Sequence, residues 1–181
     1  AINMGTEDIY AATRYLINHS AELNIDTTKI VLAGSSAGAF NSLSAVHQQC
    51  SQTELACKYL SPQFRFAGAI SQAGALWFAG EDTPLYWSQL PCPILFFHGS
   101  KDPLVTYNES HNGFSAYGSV AIYKHLAAEK SPACFYDFEE RGHEICVVPM
   151  HTYVPDIMRF LKQYVIQGEQ RNEHIVVTKK E

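Results

Sequence analysis

A serine stands at the centre of Gly34-Ser35-Ser36-Ala37-Gly38, after an apolar run and before a run of small, helix-compatible residues. This order predicts a strand, a sharp turn and a helix, with Ser36 at the apex. A serine hydroxyl attacks a carbonyl carbon only when it is held out from the backbone beside a base. We interpret Gly34 and Gly38 as the residues that permit the turn, because a side chain at either position would crowd the neighbouring strand or helix. The amide of Ala37, at the start of the helix, is then placed to donate to an oxyanion.

Two later segments also place polar side chains after apolar strands. Asp102 follows the run 93–97 and the pair His98-Gly99, and His143 stands in a polar loop after the run 133–138. The carboxyl ends of parallel strands meet at one edge of a sheet, where functional groups collect. An imidazole suits general-base chemistry near neutral pH, and a carboxylate orients it. Each residue also has a plain alternative, because aspartate is common in turns and a loop histidine is usually solvated.

Ser36, Asp102 and His143 occur in the order nucleophile, acid, base, each after a predicted strand. The motifs GSSAG, HGSKDPLV and RGHE resemble the nucleophile elbow, acid turn and histidine loop of α/β-hydrolase serine esterases. The resemblance runs from about Gly5 to Tyr164. It implies a Ser-His-Asp triad that cleaves a small-molecule carboxylic ester through an acyl-enzyme. The enzymes implied are carboxylesterases of the acetyl- or feruloyl-esterase kind.

The beginning of the chain departs from that pattern. In α/β-hydrolases the elbow follows the fifth strand, whereas one helix and one strand are predicted before Ser36. The His-Gly-Gly type of loop that supplies a second oxyanion donor is also absent upstream. We therefore expect residues 1–168 to be the C-terminal part of an α/β-hydrolase domain that lacks the N-terminal strands. Loss of one oxyanion donor costs roughly 2.7–4 kcal/mol, so this chain alone is expected to be a weak enzyme.

Apolar runs alternate with helical patterns along the chain. They predict an α/β fold, a partial α/β-hydrolase with a parallel sheet of about four strands and helices on both faces. The strands are expected near residues 29–33, 64–72, 94–98 and 134–138, adjacent in that order because crossovers are right-handed. Residues 169–181 are interpreted as a polar tail, with a strand at 174–177 as the alternative. Thr6 is predicted to cap the first helix, and the spacing of Ile9, Ala12, Leu16 and Leu23 predicts its buried face.

The expected strand order leaves the strand before Ser36 at an edge of the sheet. An apolar edge strand invites pairing with another chain. We expect either a homo-oligomer or association with the missing N-terminal segment.

Composition narrows the class of protein. The chain has 181 residues, of which 46% are hydrophobic and 17% charged, as in a single globular domain. A net charge of -5 provides no basic patch, so a nucleic-acid partner is not expected. No apolar run reaches the ~20 residues that a membrane span requires. The sequence is compatible with a cytoplasmic protein and with a secreted or periplasmic one.

The five cysteines suggest neither a metal site nor a cofactor. No C-x-x-C pair occurs, so we expect no structural zinc, no other metal and no cofactor. Cys50 and Cys57 are close enough in sequence for a local disulfide. The other three lie in or beside apolar runs and are interpreted as small buried hydrophobic residues.

Several side chains compete for roles in the site. Glu139, Glu140 and Glu144 are alternative acids for His143, although solvated positions suit them better. His98 ends a strand before a glycine and is interpreted as structural. The candidates for the apolar wall of the substrate pocket, with core packing as the alternative, are Trp77, Phe78, Tyr86 and Trp87.

Two other functions fit the same motifs. A peptidase similar to the prolyl oligopeptidases would share the motif order. A hydrolase-like scaffold used only for binding would have no need of all three triad residues.

Overall fold

The structure is a computed structural model that describes residues 2–178. Its strands, in chain order, are β1 (Val31–Ser35), β2 (Gly68–Gln72), β3 (Ala75–Ala79), β4 (Ile94–Gly99), β5 (Glu109–His111), β6 (Phe114–Gly118), β7 (Ala133–Phe138) and β8 (Asn172–Val177). The helices are α1 (Ile2–Asn18), α2 (Ser20–Leu23), α3 (Ala37–Cys50), α4 (Glu54–Tyr59), α5 (Ser119–Ala128), α6 (Pro149–Thr152) and α7 (Val154–Phe160). A π-helical segment, Leu161–Ile166, continues α7, and 3-10 turns cover Thr27–Lys29 and His143–Cys146.

The main sheet has five parallel strands in the order β1-β2-β4-β7-β8. The first four follow one another across the sheet in chain order, as expected for right-handed crossovers. The α/β fold with a parallel sheet is therefore confirmed. β1 lies at one edge, and all the strands place their carboxyl ends on the same side.

Side chains of successive residues on a strand point to opposite faces, which produces two cores. Phe96 belongs to the core that includes residues of α1, α3 and α5, whereas Phe97 belongs to the core that includes Phe160 and Tyr164 on the other face. Phe96 and Phe97 are both fully buried. Helices therefore cover both faces of the sheet, as the near-continuous apolar strands predicted.

The predicted polar tail contains a strand. Residues 172–177 form β8, which pairs in parallel with β7, so this part follows the alternative interpretation of a strand. Its polar residues find partners inside the fold. Arg159 binds Glu173 at 2.8 Å, and the ring of His174 stacks on Phe135. The last three residues of the predicted tail, 179–181, lie outside the described range.

A second sheet, antiparallel and in the order β3-β6-β5, was not predicted. β3 follows the end of β2 directly, and β5 and β6 lie between Asp102 and α5. The pairing of Leu76 with Tyr117 joins segments 41 positions apart in the sequence, and local patterns do not reveal a pairing over such a distance.

The first helix starts earlier than Thr6 and buries a different face from the one predicted. Thr6, Tyr10 and Thr13 are buried, whereas Ala12 is exposed. The Tyr10 hydroxyl donates to the Ala45 carbonyl oxygen at 2.6 Å. This bond lets an amphipathic tyrosine occupy the interface with α3.

The five cysteines are free thiols in the structure, so the local disulfide between Cys50 and Cys57 does not form. Cys50 is buried and Cys57 is exposed. No helix among residues 2–178 has the length and apolar character needed to cross a bilayer.

The outer edge of β1 pairs with no other strand in the described part of the chain. We propose that this edge takes up a strand from a second copy of the chain or from a segment outside the 181 residues. Size-exclusion chromatography should show species larger than 20.2 kDa that increase with concentration. A stable, soluble monomer over the whole concentration range would contradict the proposal.

Candidate active site

Ser36 occupies the turn between β1 and α3 in a conformation that is rare for a residue with a side chain. Its φ of 50° and ψ of -119° lie outside the regions that non-glycine residues prefer. The Ser36 amide donates to the Gln72 carbonyl oxygen at the end of β2, at 2.9 Å. This bond fixes the strained turn to the neighbouring strand.

The two glycines of the turn have different roles. A Cβ at Gly34 would lie within 2.6 Å of the Ala39 nitrogen and against the backbone of Gly38. Gly34 is therefore required for the close approach of strand and helix. A Cβ at Gly38 would meet no atom within 4 Å, so the interpretation of Gly38 as a steric requirement of the turn was wrong.

The Ala37 amide stands at the start of α3. Among the described residues it has no hydrogen-bond acceptor, whereas the amides of Ala39 and Phe40 donate to the Ser36 carbonyl oxygen. The first amides of a helix point out of its end and carry partial positive charge. The Ala37 N–H is thus free to bind an oxygen anion beside Ser36.

Asp102 is held by the turn that follows β4. Its Oδ1 accepts hydrogen bonds from the amides of Leu104, at 2.9 Å, and Val105, at 3.0 Å. The side chain is completely buried. Because one carboxylate oxygen is fixed by the backbone, the other is directed towards the imidazole of His143.

His143 begins a 3-10 turn in the loop after β7. To bring His143 to Ser36, this loop crosses the end of the sheet. β2 and β4 lie between β1 and β7. Three spacings of 4.7–4.9 Å between neighbouring strands add up to about 14 Å. The Lys101 amide donates to the Arg141 carbonyl oxygen at 2.9 Å, which joins the loop to the acid turn. At the far end, Ser35 Oγ donates to the Cys146 carbonyl oxygen.

Gly99 makes room for that crossing. A Cβ on Gly99 would collide with the backbone carbonyls of Arg141 and Gly142. The absence of a side chain lets the loop lie directly on the end of β4.

The three predicted side chains come together at this edge of the sheet. His143 Nε2 is 2.9 Å from Ser36 Oγ, and His143 Nδ1 is 2.8 Å from Asp102 Oδ2. His143 lies 107 positions after Ser36 and 41 positions after Asp102 in the sequence. This geometry allows the hydroxyl to donate to Nε2 while Nδ1–H donates to the carboxylate.

The alternative acids have other partners or none. Glu144 binds the Arg141 guanidinium at 2.7 Å, and Glu140 lies 3.6 Å from the Lys101 ammonium. Glu139 is exposed. None of the three contacts the imidazole of His143.

The charge on Asp102 is strongly stabilised. Burial acts to raise the pKa of the carboxyl, but two neighbouring imidazoles and two backbone amides outweigh it and hold the pKa well below the ordinary aspartate value. The imidazoles belong to His98 and His143. Asp102 is thus ionised at neutral pH.

The four residues predicted to line the substrate pocket lie in different surroundings in the structure. Trp77 is 46% exposed and packs against Phe40, one turn of α3 beyond Ser36, and against Phe114. Trp87 is buried in the core, as the alternative interpretation of core packing predicted. Tyr86 is 65% exposed, and its carbonyl oxygen binds His47.

Phe78 is half-buried and shares a cleft with Trp77. The cleft, about 650 Å³, lies between α1, α3 and β3, and no triad residue lines it. Of the four candidates, Trp77 alone contacts a residue close to Ser36. Phe40 and Phe114 were not predicted, although Phe40 stands four residues after Ser36 on a helix and thus one turn away.

A family model and two solved structures place the fold among known proteins. The sequence model of BD-FAE, an esterase-like α/β-hydrolase family, matches residues 3–79. The crystal structure of esterase PE8 is 19% identical, with a TM-score of 0.55 over 88% of this chain. A puromycin-hydrolysing peptidase of Mycobacterium tuberculosis is 20% identical, with a TM-score of 0.54 over 97% of this chain. The chain has an α/β-hydrolase fold. A comparison with curated proteins gives no match.

The likeness to the two solved α/β-hydrolases extends to the fold alone at these identities. The chain spans 63% of the length of esterase PE8 and 28% of the length of the peptidase. Within the described residues, no group of three or more histidine, cysteine, aspartate or glutamate side chains is arranged to hold a metal ion.

The two elbow glycines offer a matched pair of substitutions. Gly34→Ala should lower the free energy of unfolding by about 1–3 kcal/mol, because the added methyl group overpacks against backbone. Gly38→Ala should leave it unchanged or raise it by up to about 1 kcal/mol, because alanine favours a helix. Urea unfolding followed by circular dichroism measures both. Equal losses in the two variants would contradict the different roles assigned to them.

Stability should depend on pH through Asp102. Its folded-state pKa lies below the unfolded value of about 3.9, so ionised Asp102 stabilises the fold above that value. The contribution is lost as the pH falls through the lowered folded pKa. The stability difference between the wild type and Asp102→Asn should narrow as the pH falls below about pH 4. An undiminished difference at pH 3 in urea titrations would contradict this assignment.

Proposed function

We propose that this chain is a serine hydrolase that cleaves carboxylic esters through an acyl-enzyme, with Ser36 as nucleophile, His143 as base and Asp102 as the orienting acid. The observation that carries the proposal is the continuous pair of contacts from Ser36 Oγ to His143 Nε2, at 2.9 Å, and from His143 Nδ1 to Asp102 Oδ2, at 2.8 Å. Hydrogen-bond reach between nucleophile and base is the geometric requirement for this chemistry.

In the first half-reaction, Ser36 Oγ attacks the ester carbonyl carbon while its proton passes to His143 Nε2. Asp102 stabilises the imidazolium that results, because its buried carboxylate accepts from Nδ1–H. The tetrahedral intermediate collapses when the carbon–oxygen bond to the alcohol breaks. The leaving alkoxide takes the proton from Nε2, and Ser36 keeps the acyl group.

In the second half-reaction, water replaces the alcohol. His143 Nε2 accepts a proton from the water as the water oxygen attacks the acyl carbon. The bond to Ser36 Oγ then breaks, and Oγ recovers the proton. The products are a carboxylic acid and the free enzyme.

The oxyanion formed in both steps needs donors. The Ala37 amide, at the N-terminus of α3 and without an acceptor among the described residues, is the donor that we assign to it. Removing one such donor typically lowers kcat by about 10²- to 10³-fold.

An ester is favoured over a peptide as substrate. The match to an esterase-like family covers the segment that contains Ser36 and Ala37. A peptidase activity remains the second candidate, because one of the solved relatives is a puromycin-hydrolysing peptidase. A non-catalytic scaffold accounts less well for an acid held by two amides and an imidazole aimed at a strained serine.

A fluorophosphonate probe tests the proposal, because it phosphonylates an activated serine. The wild type should be labelled and should hydrolyse p-nitrophenyl acetate, and Ser36→Ala should lose both. Knocking out the nucleophile in such a triad lowers kcat by about 10⁶-fold. Labelling is read by gel fluorescence and the labelled peptide by mass spectrometry.

The adjacent serine provides the matched control. Ser35→Ala removes a hydroxyl that binds Cys146 in the histidine loop rather than the imidazole, so labelling should be slower than in the wild type but should still occur at Ser36. Labelling that survives in Ser36→Ala, or an unlabelled wild type, would overturn the assignment. Hydrolysis of aminoacyl p-nitroanilides with no hydrolysis of esters would favour the peptidase.

A further inference from the structure

A second imidazole lies beside the triad acid. His98 Nε2 is 3.3 Å from Asp102 Oδ2, the oxygen that His143 Nδ1 contacts at 2.8 Å. The side chains of His98 and Asp102 are both 0% exposed. His98 Nε2 is at ion-pair distance from Asp102 Oδ2 without the alignment of a hydrogen bond, and it has no hydrogen-bond partner among the described residues. A buried N–H without an acceptor is unfavourable, so Asp102 is the group that offsets this burial.

The other nitrogen of His98 contacts a hydroxyl on α5. His98 Nδ1 is 2.8 Å from Ser119 Oγ, which is also 3.3 Å from the Gly74 carbonyl oxygen. If Ser119 donates to Nδ1, a neutral His98 carries its proton on Nε2 and presents an N–H to Asp102. If Ser119 donates to Gly74 instead, a neutral ring presents a lone pair to the carboxylate. The shorter distance and the charge of Asp102 both favour the first arrangement.

The remaining neighbours of His98 do not compete for it. The ring of Tyr107 packs edge-on at 5.6 Å and restricts the plane of the imidazole. Asp137 is the register partner of His98 on β7, and its Oδ2 lies 3.0 Å from His174 Nε2. Among the described residues, Asp102 is the one carboxylate within ion-pair distance of His98.

We propose that Ser119 and His98 are positioning residues for the triad: Ser119 fixes the His98 tautomer, and His98 Nε2–H gives Asp102 Oδ2 a second donor. With Oδ1 already bound by the Leu104 and Val105 amides, the carboxylate is then restrained at both oxygens and directed to His143. The inference deepens the proposed function and rests on it, because it assigns Asp102 the role of triad acid. It also replaces the interpretation of His98 as merely structural.

Steady-state kinetics with p-nitrophenyl acetate provide the first test. His98→Leu removes both ring nitrogens and should lower kcat about 10- to 100-fold with little change in KM, as expected for a misplaced catalytic group. The donor to Asp102 is lost, so its charge acts more fully on His143. The acid limb of the profile of kcat/KM against pH should therefore move to higher pH. His98→Gln, whose amide can donate near the Nε2 position, should recover much of kcat and restore the limb.

Variants of Ser119 provide the second test. Ser119→Ala should shift kcat and the acid limb in the same direction as His98→Leu. The double variant should be no worse than His98→Leu, because Ser119 acts through His98. Ser131→Ala is the matched control, since it also removes a completely buried hydroxyl, one without a hydrogen-bond partner. Its kcat and acid limb should equal those of the wild type.

Active-site titration with the fluorophosphonate separates positioning from folding. If His98→Leu lowers only the fraction of titratable sites and leaves kcat per site and the acid limb unchanged, the proposal is overturned. If His98→Leu does not fold, Ser119→Ala decides, and an unchanged kcat and limb in that variant overturn the proposal.

A readout without turnover distinguishes this proposal from the proposed function. The ¹⁵N chemical shifts of the imidazoles in Ser36→Ala report which nitrogen of His98 is protonated. A protonated Nε2 supports the proposal even if no ester is hydrolysed, in which case the proposed function alone fails. An unprotonated Nε2 overturns the proposal while the wild type remains an active hydrolase.

Discussion

The whole site depends on a loop that returns across the sheet. Ser36 stands at the end of β1, and His143 follows β7, with two strands between them. No side chain spans about 14 Å, so backbone has to cover that distance. The loop does so by lying on the end of β4, where Gly99 has no Cβ to obstruct the carbonyls of Arg141 and Gly142. It is then fixed to β1 through the contact of Ser35 with Cys146.

Backbone hydrogen bonds place each chemical group at this edge. The Ser36 amide binds Gln72 on β2, the amides of Leu104 and Val105 bind Asp102, and the Lys101 amide binds the histidine loop. These bonds connect neighbouring elements of one sheet, so the mutual geometry of Ser36, His143 and Asp102 follows from the order of the strands. The electrostatics follow from the same arrangement. A completely buried carboxylate persists as an anion because donors surround it, and it is then able to stabilise a protonated His143.

Local motifs explain why much of this could be predicted from the sequence. Gly34 and Ser36 mark a turn whose geometry is set within a few residues, and Asp102 and His143 follow apolar runs that predict buried strands. The strand order then follows from the handedness of crossovers. Features that depend on distant partners were not recoverable. β8 begins with polar residues, and its Glu173 and His174 bind Arg159 and Asp137, which lie in distant elements.

The same limit applies to aromatic and apolar side chains. Trp77 and Trp87 look alike in the sequence, yet one packs at the surface against Phe40 and the other lies in the core. Tyr10 rather than Ile9 is buried in α1, because the Ala45 carbonyl oxygen accepts from its hydroxyl. His98 shows no signal beyond its place at a strand end. Its relation to Asp102 becomes visible only when α5 brings Ser119 to the other side of the ring.

The central claim is that Ser36, His143 and Asp102 operate as one unit at the edge of the sheet. A crystal structure of the protein after reaction with a phosphonate inhibitor tests it most directly. Our account predicts a covalent bond from Ser36 Oγ to phosphorus, a phosphoryl oxygen on the Ala37 amide, and His143 Nε2 within about 3.2 Å of a phosphonate or Ser36 oxygen. A phosphonate on another residue, or an imidazole of His143 turned away from the adduct and from Asp102, would contradict it.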